Sequence, residues 1–212
     1  MGRGRHAGYD GQRELILGRA AALFARGGYP GTSMNQVAEA CGLSKATLYH
    51  YYRDKYALLV SIADGHVTRL RAVVDEALAE ASTTEGQMRA LVRRLVEEYA
   101  NAQNEHRVLT EDVKFLQPED RERVLGKERE VVAAFARVVA ALRPDLKDAA
   151  MSKPLTMLLF GMVNWMFTWM KPQGALAYGD MAPVVADLFL GGLERVQAPV
   201  KAAPLAAASP CE

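Results

Sequence analysis

Lys45, Thr47, Tyr49 and His50 crowd donors and flat polar rings into about two helical turns. Side chains of these types suit a nucleic-acid surface. Lys45 can donate to the edge of a guanine, and Thr47 offers a hydroxyl and a methyl. Ser44 precedes them as a helix cap. Ala46 belongs to the same set as a residue small enough to fit the groove, whereas Leu48 reads as core. Thr32 and Ser33 precede another helix start, where exposed N–H groups favour a phosphate. Tyr52 stands between packing inside the head and facing DNA.

These side chains need a frame, and the stretch SMNQVAEACGLSKATLYHYYRDK supplies one. Ser33 and Gln36 have the spacing of a capping box. Val37, Ala38 and Cys41 give the first helix an apolar face, Gly42 makes the turn and Leu43 plugs the angle. Ser44 then opens the second helix. This is the order of a helix-turn-helix, in which the first helix braces and the second enters the major groove. Upstream, Leu15, Ile16, Ala20, Leu23 and Phe24 form the stripe of a helix from about Asp10 to Arg26, ended by Gly27 and Gly28. Residues 1–9, with Arg3, Arg5 and His6, read as a disordered start.

Downstream the periodicity stays helical. It predicts helices from Lys55 to about Ala81, Thr84 to Gln103, Arg107 to Leu116, Pro118 to Arg143, Ala149 to Met170 and Asp180 to Val196. The fold class is all-α, with about nine helices: a three-helix head at 1–56, a helical body at 57–197 and a disordered Ala/Pro-rich tail at 198–212. No strand-period segment and no internal repeat is found.

The net charge is +1, but it is unevenly spread. Residues 1–60 hold eight Lys/Arg and four Asp/Glu, a balance of +4, which leaves −3 for the remainder. A basic head on an acidic body fits nucleic-acid binding confined to one end. Two cysteines, Cys41 and Cys211, make no disulfide framework, and the polar N-terminus resembles no signal peptide, so a cytoplasmic setting is expected. Enzyme chemistry finds little support. Glycine-rich phosphate loops, zinc spacings and nucleophile elbows are missing, and His6, His50, His66 and His106 lack a second ligand at a metal spacing. No metal, cofactor or membrane partner is expected.

The helix after Ala149 is the exception to amphipathic patterning. From Leu155 to Met170 it is apolar almost all round, with Asn164 inside the run. At about 16 residues it is short for a bilayer span, so it reads as a buried helix. One face would meet the core and another a second copy of the chain, through Leu155, Leu159, Met162 and Met166, with Val185, Leu188 and Phe189 from the last helix. Pocket material lies on the same helix: Met157, Phe160, Gly161, Asn164, Trp165, Thr168 and Trp169, with Tyr99 and Phe135 as an aromatic wall. These stripes equally suit plain core. Arg89, Arg93 and Arg94 form a basic cluster on the helix from Thr84 and read as solvated surface charge.

The segment GTSMNQVAEACGLSKATLYHYYRDKYALL closely resembles the DNA-binding domain of TetR/AcrR-type transcriptional regulators, over roughly residues 10 to 60. The glycine turn, the S-K-A-T-L-Y core and the aromatic-x-x-K that follows carry the resemblance together. It implies that Tyr49 and His50 contact backbone or nearby bases, that Lys55 contacts a phosphate, and that the body binds a small molecule and forms a dimer. FGMVNWMFTWMKPQG and the closing VVADLFLGGL are similar to a branch that senses acyl-CoA thioesters, which implies that Arg89, Arg93 and Arg94 could meet CoA phosphates. The expectation is a homodimeric regulator, most simply a repressor. It would bind a pseudo-palindromic double-stranded operator and be released by a small hydrophobic or CoA-linked ligand, such as an aryl-acyl-CoA. Rival readings are a multidrug or other hydrophobic-ligand sensor of the same family, an all-α acyl-binding carrier or enzyme, and a ligand-free architectural DNA binder.

Overall fold

The computed structural model describes residues 3–147, 150–170 and 174–198, with side chains from Gly8 onward. Among these residues there are ten α-helices, one 3-10 turn and no strand. The head comprises α1 (Arg3–Gly27), α2 (Met34–Ala40) and α3 (Lys45–Tyr51). The body comprises α4 (Lys55–Glu80), α5 (Thr84–Asn101), α6 (Gln103–Asp112), α7 (Pro118–Leu142), α8 (Pro144–Lys147), α9 (Ser152–Trp169) and α10 (Tyr178–Leu193), with the 3-10 turn at Val113–Phe115.

Local chemistry sets the head. Gln36 N–H donates to Ser33 Oγ at 3.3 Å and Ser33 N–H donates back to Gln36 Oε1 at 2.8 Å, which closes the capping box. Gly42 takes φ +64°, where a side chain would be strained, and Leu43 N–H closes on Ala38 O at 2.9 Å. Thr47 N–H donates to Ser44 Oγ at 3.1 Å and starts α3. Ile16, Ala20, Phe24, Val37, Leu48 and Tyr52 are buried together between the three helices and the start of α4. At roughly 1.5–3 kcal/mol per large apolar side chain, this burial stabilises helices too short to persist alone.

Helix α4 runs from head to body, where it meets α5, α6 and α7. Asp54, a cap not foreseen, accepts from Ala57 N–H at 2.7 Å. Tyr56 ties α4 to α7, because its hydroxyl donates to Asp120 Oδ2 at 2.6 Å and accepts from Gln117 N–H at 2.9 Å. The far side of the body pairs α5 with α10 and α7 with α9.

Several boundaries differ from expectation. Helix α1 begins at Arg3 rather than Asp10. Tyr9, within the added length, stacks on Tyr51 of α3 at 4.9 Å between ring centroids. The side chains of Arg3, Arg5 and His6 lie outside the described residues. Helix α6 restarts immediately after Ala102, which breaks helical geometry at φ −125°, ψ 40°. It therefore starts at Gln103, not Arg107. Ala150 adopts φ 56°, a left-handed conformation costing about 1 kcal/mol, and this kink separates the unforeseen α8 from α9. Of the stop expected at Lys171, Pro172 and Gly174, the first two lie outside the described residues, as does the tail from 199. No described helix is long and apolar enough to cross a membrane.

Candidate DNA-reading face and effector cleft

Helix α3 turns one face outward. Ser44, Lys45, Ala46, Thr47, Tyr49 and His50 are exposed, while Leu48 is fully buried. Lys45 Nζ sits 5.9 Å from the centroid of the Tyr49 ring, a cation–π pair one turn apart that fans both groups off the helix. Thr47 Oγ1 lies 2.8 Å from Ser44 Oγ, which steadies a hydroxyl at the helix start. Ser33 is exposed at the start of α2. Along α3 and its cap, donors, acceptors and rings are all open to a partner.

Three expected contacts leave that surface. Thr32 is buried, and its hydroxyl donates to Gly28 O at 3.0 Å within the α1–α2 loop. Tyr52 is buried in the head, with its hydroxyl accepting from Arg13 Nε at 3.3 Å. Lys55 Nζ donates to Tyr29 O at 2.7 Å, Pro30 O at 3.2 Å and Thr32 O at 2.8 Å. An ammonium has three hydrogens, and here all three hold the loop. These residues brace the reading face rather than belong to it.

A second feature lies where head and body meet. A cleft of about 910 Å³ is walled by the last turn of α1, the end of α5, by α6 and by α9. Of the expected ligand set, Tyr99, Gly161, Asn164, Trp165 and Thr168 line it. A Cβ on Gly161 would meet nothing within 4 Å, so the backbone of α9 borders open space here. Asn164 makes no side-chain hydrogen bond to the described residues, leaving its amide to the cleft. Thr168 Oγ1 donates to Trp165 O at 2.7 Å.

The other four do not line it. Phe135 is fully buried and packs edge-on against Phe160 at 4.9 Å, making both core. Met157 and Trp169 are half exposed and point elsewhere. Residues not foreseen replace them: Gln103, His106 and Arg107 from α6, Ala25 and Arg26 from α1, and Phe167 from α9. The signal for α6 was hidden by placing its start four residues late. Arg107 pairs with Glu111 at 2.8 Å on the rim.

Three buried or half-buried groups at and behind the cleft wall, His66, His106 and Tyr99, are held neutral. Burial pushes His66 down to about 3, helped by His106 and Arg69, and pushes His106 down to about 4. Burial raises the Tyr99 hydroxyl well above its ordinary value. His66 and His106, isolated in sequence, meet at 3.3 Å. No group of three or more metal-ligating side chains forms among the described residues.

Arg89, Arg93 and Arg94 stand on the outer side of the body, already paired. Arg89 meets Asp187 at 2.6 Å and Glu85 at 3.0 Å, and both Arg93 and Arg94 meet Glu80. They are solvated, neutralised charge. The expected dimer set also divides. Leu155, Leu159, Met166, Val185 and Phe189 are buried in the subunit's own core, and Met162 is half-buried against it. Leu188 is 64% exposed and is joined by Leu158, Val184 and Trp165. A uniformly apolar helix gives no sequence phase to say which side turns inward. Of the expected set only Leu188 lies on the open apolar surface, which on α9 is carried by Leu158 and Trp165 rather than by Leu155, Leu159 and Met166.

The same organisation recurs in known proteins. The family described as bacterial regulatory proteins, tetR family, matches residues 16–62, and the tetracyclin repressor-like C-terminal domain matches residues 80–193. The chain is similar to the transcriptional repressor KstR2 of Rhodococcus jostii (strain RHA1), at 24% identity over 193 residues, covering 88% of this chain and 93% of the relative. A TetR-family regulator from Bordetella parapertussis 12822 superposes with TM-score 0.81 at 33% identity, over 88% of this chain and 98% of that one. AibR, solved in complex with isovaleryl coenzyme A and operator DNA, shares the fold with TM-score 0.71 at 23% identity, over 84% and 97% of the two chains. With a capped helix-turn-helix at one end and a cleft-bearing helical body at the other, this chain belongs to the TetR family of bacterial transcriptional regulators, and is not an enzyme.

Proposed function

We propose that this chain is a ligand-released repressor that grips a pseudo-palindromic operator as a homodimer. Residues 1–56 form the DNA-binding head and residues 57–197 the ligand-binding and dimerising body. The observation that carries the reading is the make-up of the cleft. Its walls come from α1 of the head as well as from α6 and α9 of the body, so an occupant touches both. A ligand that fits one relative pose better shifts the equilibrium toward it and changes operator affinity by its differential binding.

The effector class we favour is an acyl-CoA thioester, with an aromatic acyl group such as phenylacetyl as the first candidate. Tyr99, Phe167 and Trp165 offer rings to a flat or greasy acyl group, and Asn164 offers an amide to the thioester carbonyl. The half-open cleft leaves the nucleotide outside. The isovaleryl-CoA complex of AibR, on the same fold, agrees with this class. For the dimer, Leu158 and Trp165 share a stripe on α9, as Val184 and Leu188 do on α10, and a lone subunit would leave this apolar surface in water.

Footprinting upstream of the protein's own gene neighbourhood, repeated with CoA thioesters and the matching free acids, tests the reading. Protection of an inverted repeat, lost with a thioester and kept with its free acid, is the expected result. Release by an unrelated drug or dye, with no response to any thioester, would transfer the protein to a multidrug-sensing reading.

A further inference from the structure

Helices α4, α5 and α6 bring Glu98, His66 and His106 into one line that ends at the cleft. His66 on α4 is fully buried, and its Nε2 lies 3.3 Å from His106 Nδ1. Its other nitrogen, Nδ1, is buried without a hydrogen bond and faces Glu98 Oε1 at 3.7 Å. Glu98 in turn accepts from Arg69 Nε at 3.1 Å near the surface. At the other end, His106 stacks on Tyr99 with centroids 3.7 Å apart, and both rings line the cleft.

Both imidazoles are neutral at pH 7, so each carries one N–H. Two proton arrangements satisfy the bond between them. If His66 Nε2 donates, His66 Nδ1 becomes a bare lone pair aimed at the Glu98 carboxylate, and like partial charges meet in a buried place. If His106 Nδ1 donates, His66 carries its proton on Nδ1, where the N–H dipole points at the carboxylate. The second arrangement replaces that repulsion with a favourable dipole, so it wins. It leaves His106 Nε2 unprotonated, and that nitrogen has no partner among the described residues.

We propose that the Glu98–His66–His106 relay fixes His106 as a hydrogen-bond acceptor in the cleft, and so selects an effector that presents an N–H or O–H donor beside it. This inference rests on the effector reading of the cleft given above. On a CoA thioester the donors toward the acyl end are those of the pantetheine arm, its amide N–H groups and its pantoyl hydroxyl, and, where present, a hydroxyl on the acyl chain. A carbonyl or carboxylate placed at the same point is repelled, while Asn164 on α9 remains free to donate to it.

Long-range 1H–15N spectra of the ligand-free protein at pH 7 test the relay directly. Both His66 and His106 should show protonated Nδ1 and bare Nε2, and Glu98→Leu should move His106 toward the opposite tautomer. A wild-type His106 protonated on Nε2 overturns the proposal. The ligand arm uses Trp165 fluorescence with free CoA, butyryl-CoA and 3-hydroxybutyryl-CoA. His106→Phe should weaken binding about tenfold, the worth of one hydrogen bond, and His106→Gln, which keeps an acceptor, should restore most of it. A loss shared by both thioesters places the donor on the CoA moiety, whereas a loss confined to the hydroxy compound identifies the acyl hydroxyl. Unchanged affinity of His106→Phe for every thioester overturns the ligand role. If wild type binds no thioester, the acyl-CoA reading fails by itself, and the tautomer spectra still decide the relay.

Discussion

Lys55 Nζ donates to the carbonyl oxygen of Thr32 at 2.8 Å, so two residues expected on the DNA phosphates hold each other instead. The same ammonium also lies 4.5 Å from the centroid of the Tyr29 ring. Lys55 opens α4, and its bonds fasten the loop that leads into α2.

Lys55→Ala should therefore act on stability. Losing a charged donor that serves three carbonyls is expected to cost about 2–3 kcal/mol. The salt dependence of operator binding should keep its slope, since no phosphate contact is lost. Urea unfolding beside a salt titration separates the two effects. A shallower salt slope with unchanged stability would return Lys55 to a phosphate.

On α3 the balance is reversed. Lys45→Ala should weaken specific binding by about 1–3 kcal/mol, the size of one base contact, with unfolding unchanged within about 0.5 kcal/mol. Tyr49→Phe should weaken it less. Gel shifts on operator and scrambled DNA check this, and equal loss on both would make Lys45 a phosphate contact.

Neighbouring positions on α10 should part company. Leu188→Glu places a charge on the open stripe and should yield folded monomers with poor operator binding. Val185→Glu buries a charge in the subunit's own core and should unfold the body. Sedimentation with circular dichroism distinguishes the two. A folded wild-type monomer at micromolar concentration would end the dimer proposal.

Gly161 offers a test of the cleft from its emptiest point. Gly161→Ala meets nothing and removes a mid-helix glycine, so it should stabilise by roughly 0.5–1 kcal/mol. Gly161→Phe should fill the cleft and abolish the ligand response while operator binding stays. Calorimetry and ligand-dependent gel shifts provide the readouts.

The histidine pair predicts an acid-sensitive body. Because the folded pKa values of His66 and His106 lie near 3 and 4, below 6.5 unfolded, the unfolded chain binds more protons in between. Stability should be full above about pH 6.5 and fall as pH drops toward 4, by roughly 2 kcal/mol per histidine at pH 5. Denaturant midpoints across pH, compared with His66→Phe, measure it. A flat profile in wild type between pH 7 and 5 would contradict the buried neutral pair.

The reading face was legible because its causes are local. Ser33, Gly42 and Ser44 act within four residues of themselves, and caps and turns of that kind are written in order along the chain. The longer amphipathic helices were legible for a similar reason. What escaped depends on partners far away in sequence. Tyr9 extends α1 by meeting Tyr51, and His66 meets His106 across 40 positions. On α9 the difficulty was different. Uniform hydrophobicity predicts burial without direction, so Leu155 and Leu158 look alike until the neighbouring helices choose between them.

Helix α1 runs in a single piece from the recognition helix to the cleft. Arg26 borders the cleft, while Tyr9 leans on Tyr51 of the recognition helix. The span between them is about 25 Å at 1.5 Å per residue. A rod of that length pivoting by about 5° at its cleft end sweeps about 2 Å at the other, simple leverage on the helical rise. The mechanical advantage belongs to the backbone, so a modest wedge beside Arg26 would move the seat of α3 only by working against the packing of α1 on α4 and α6.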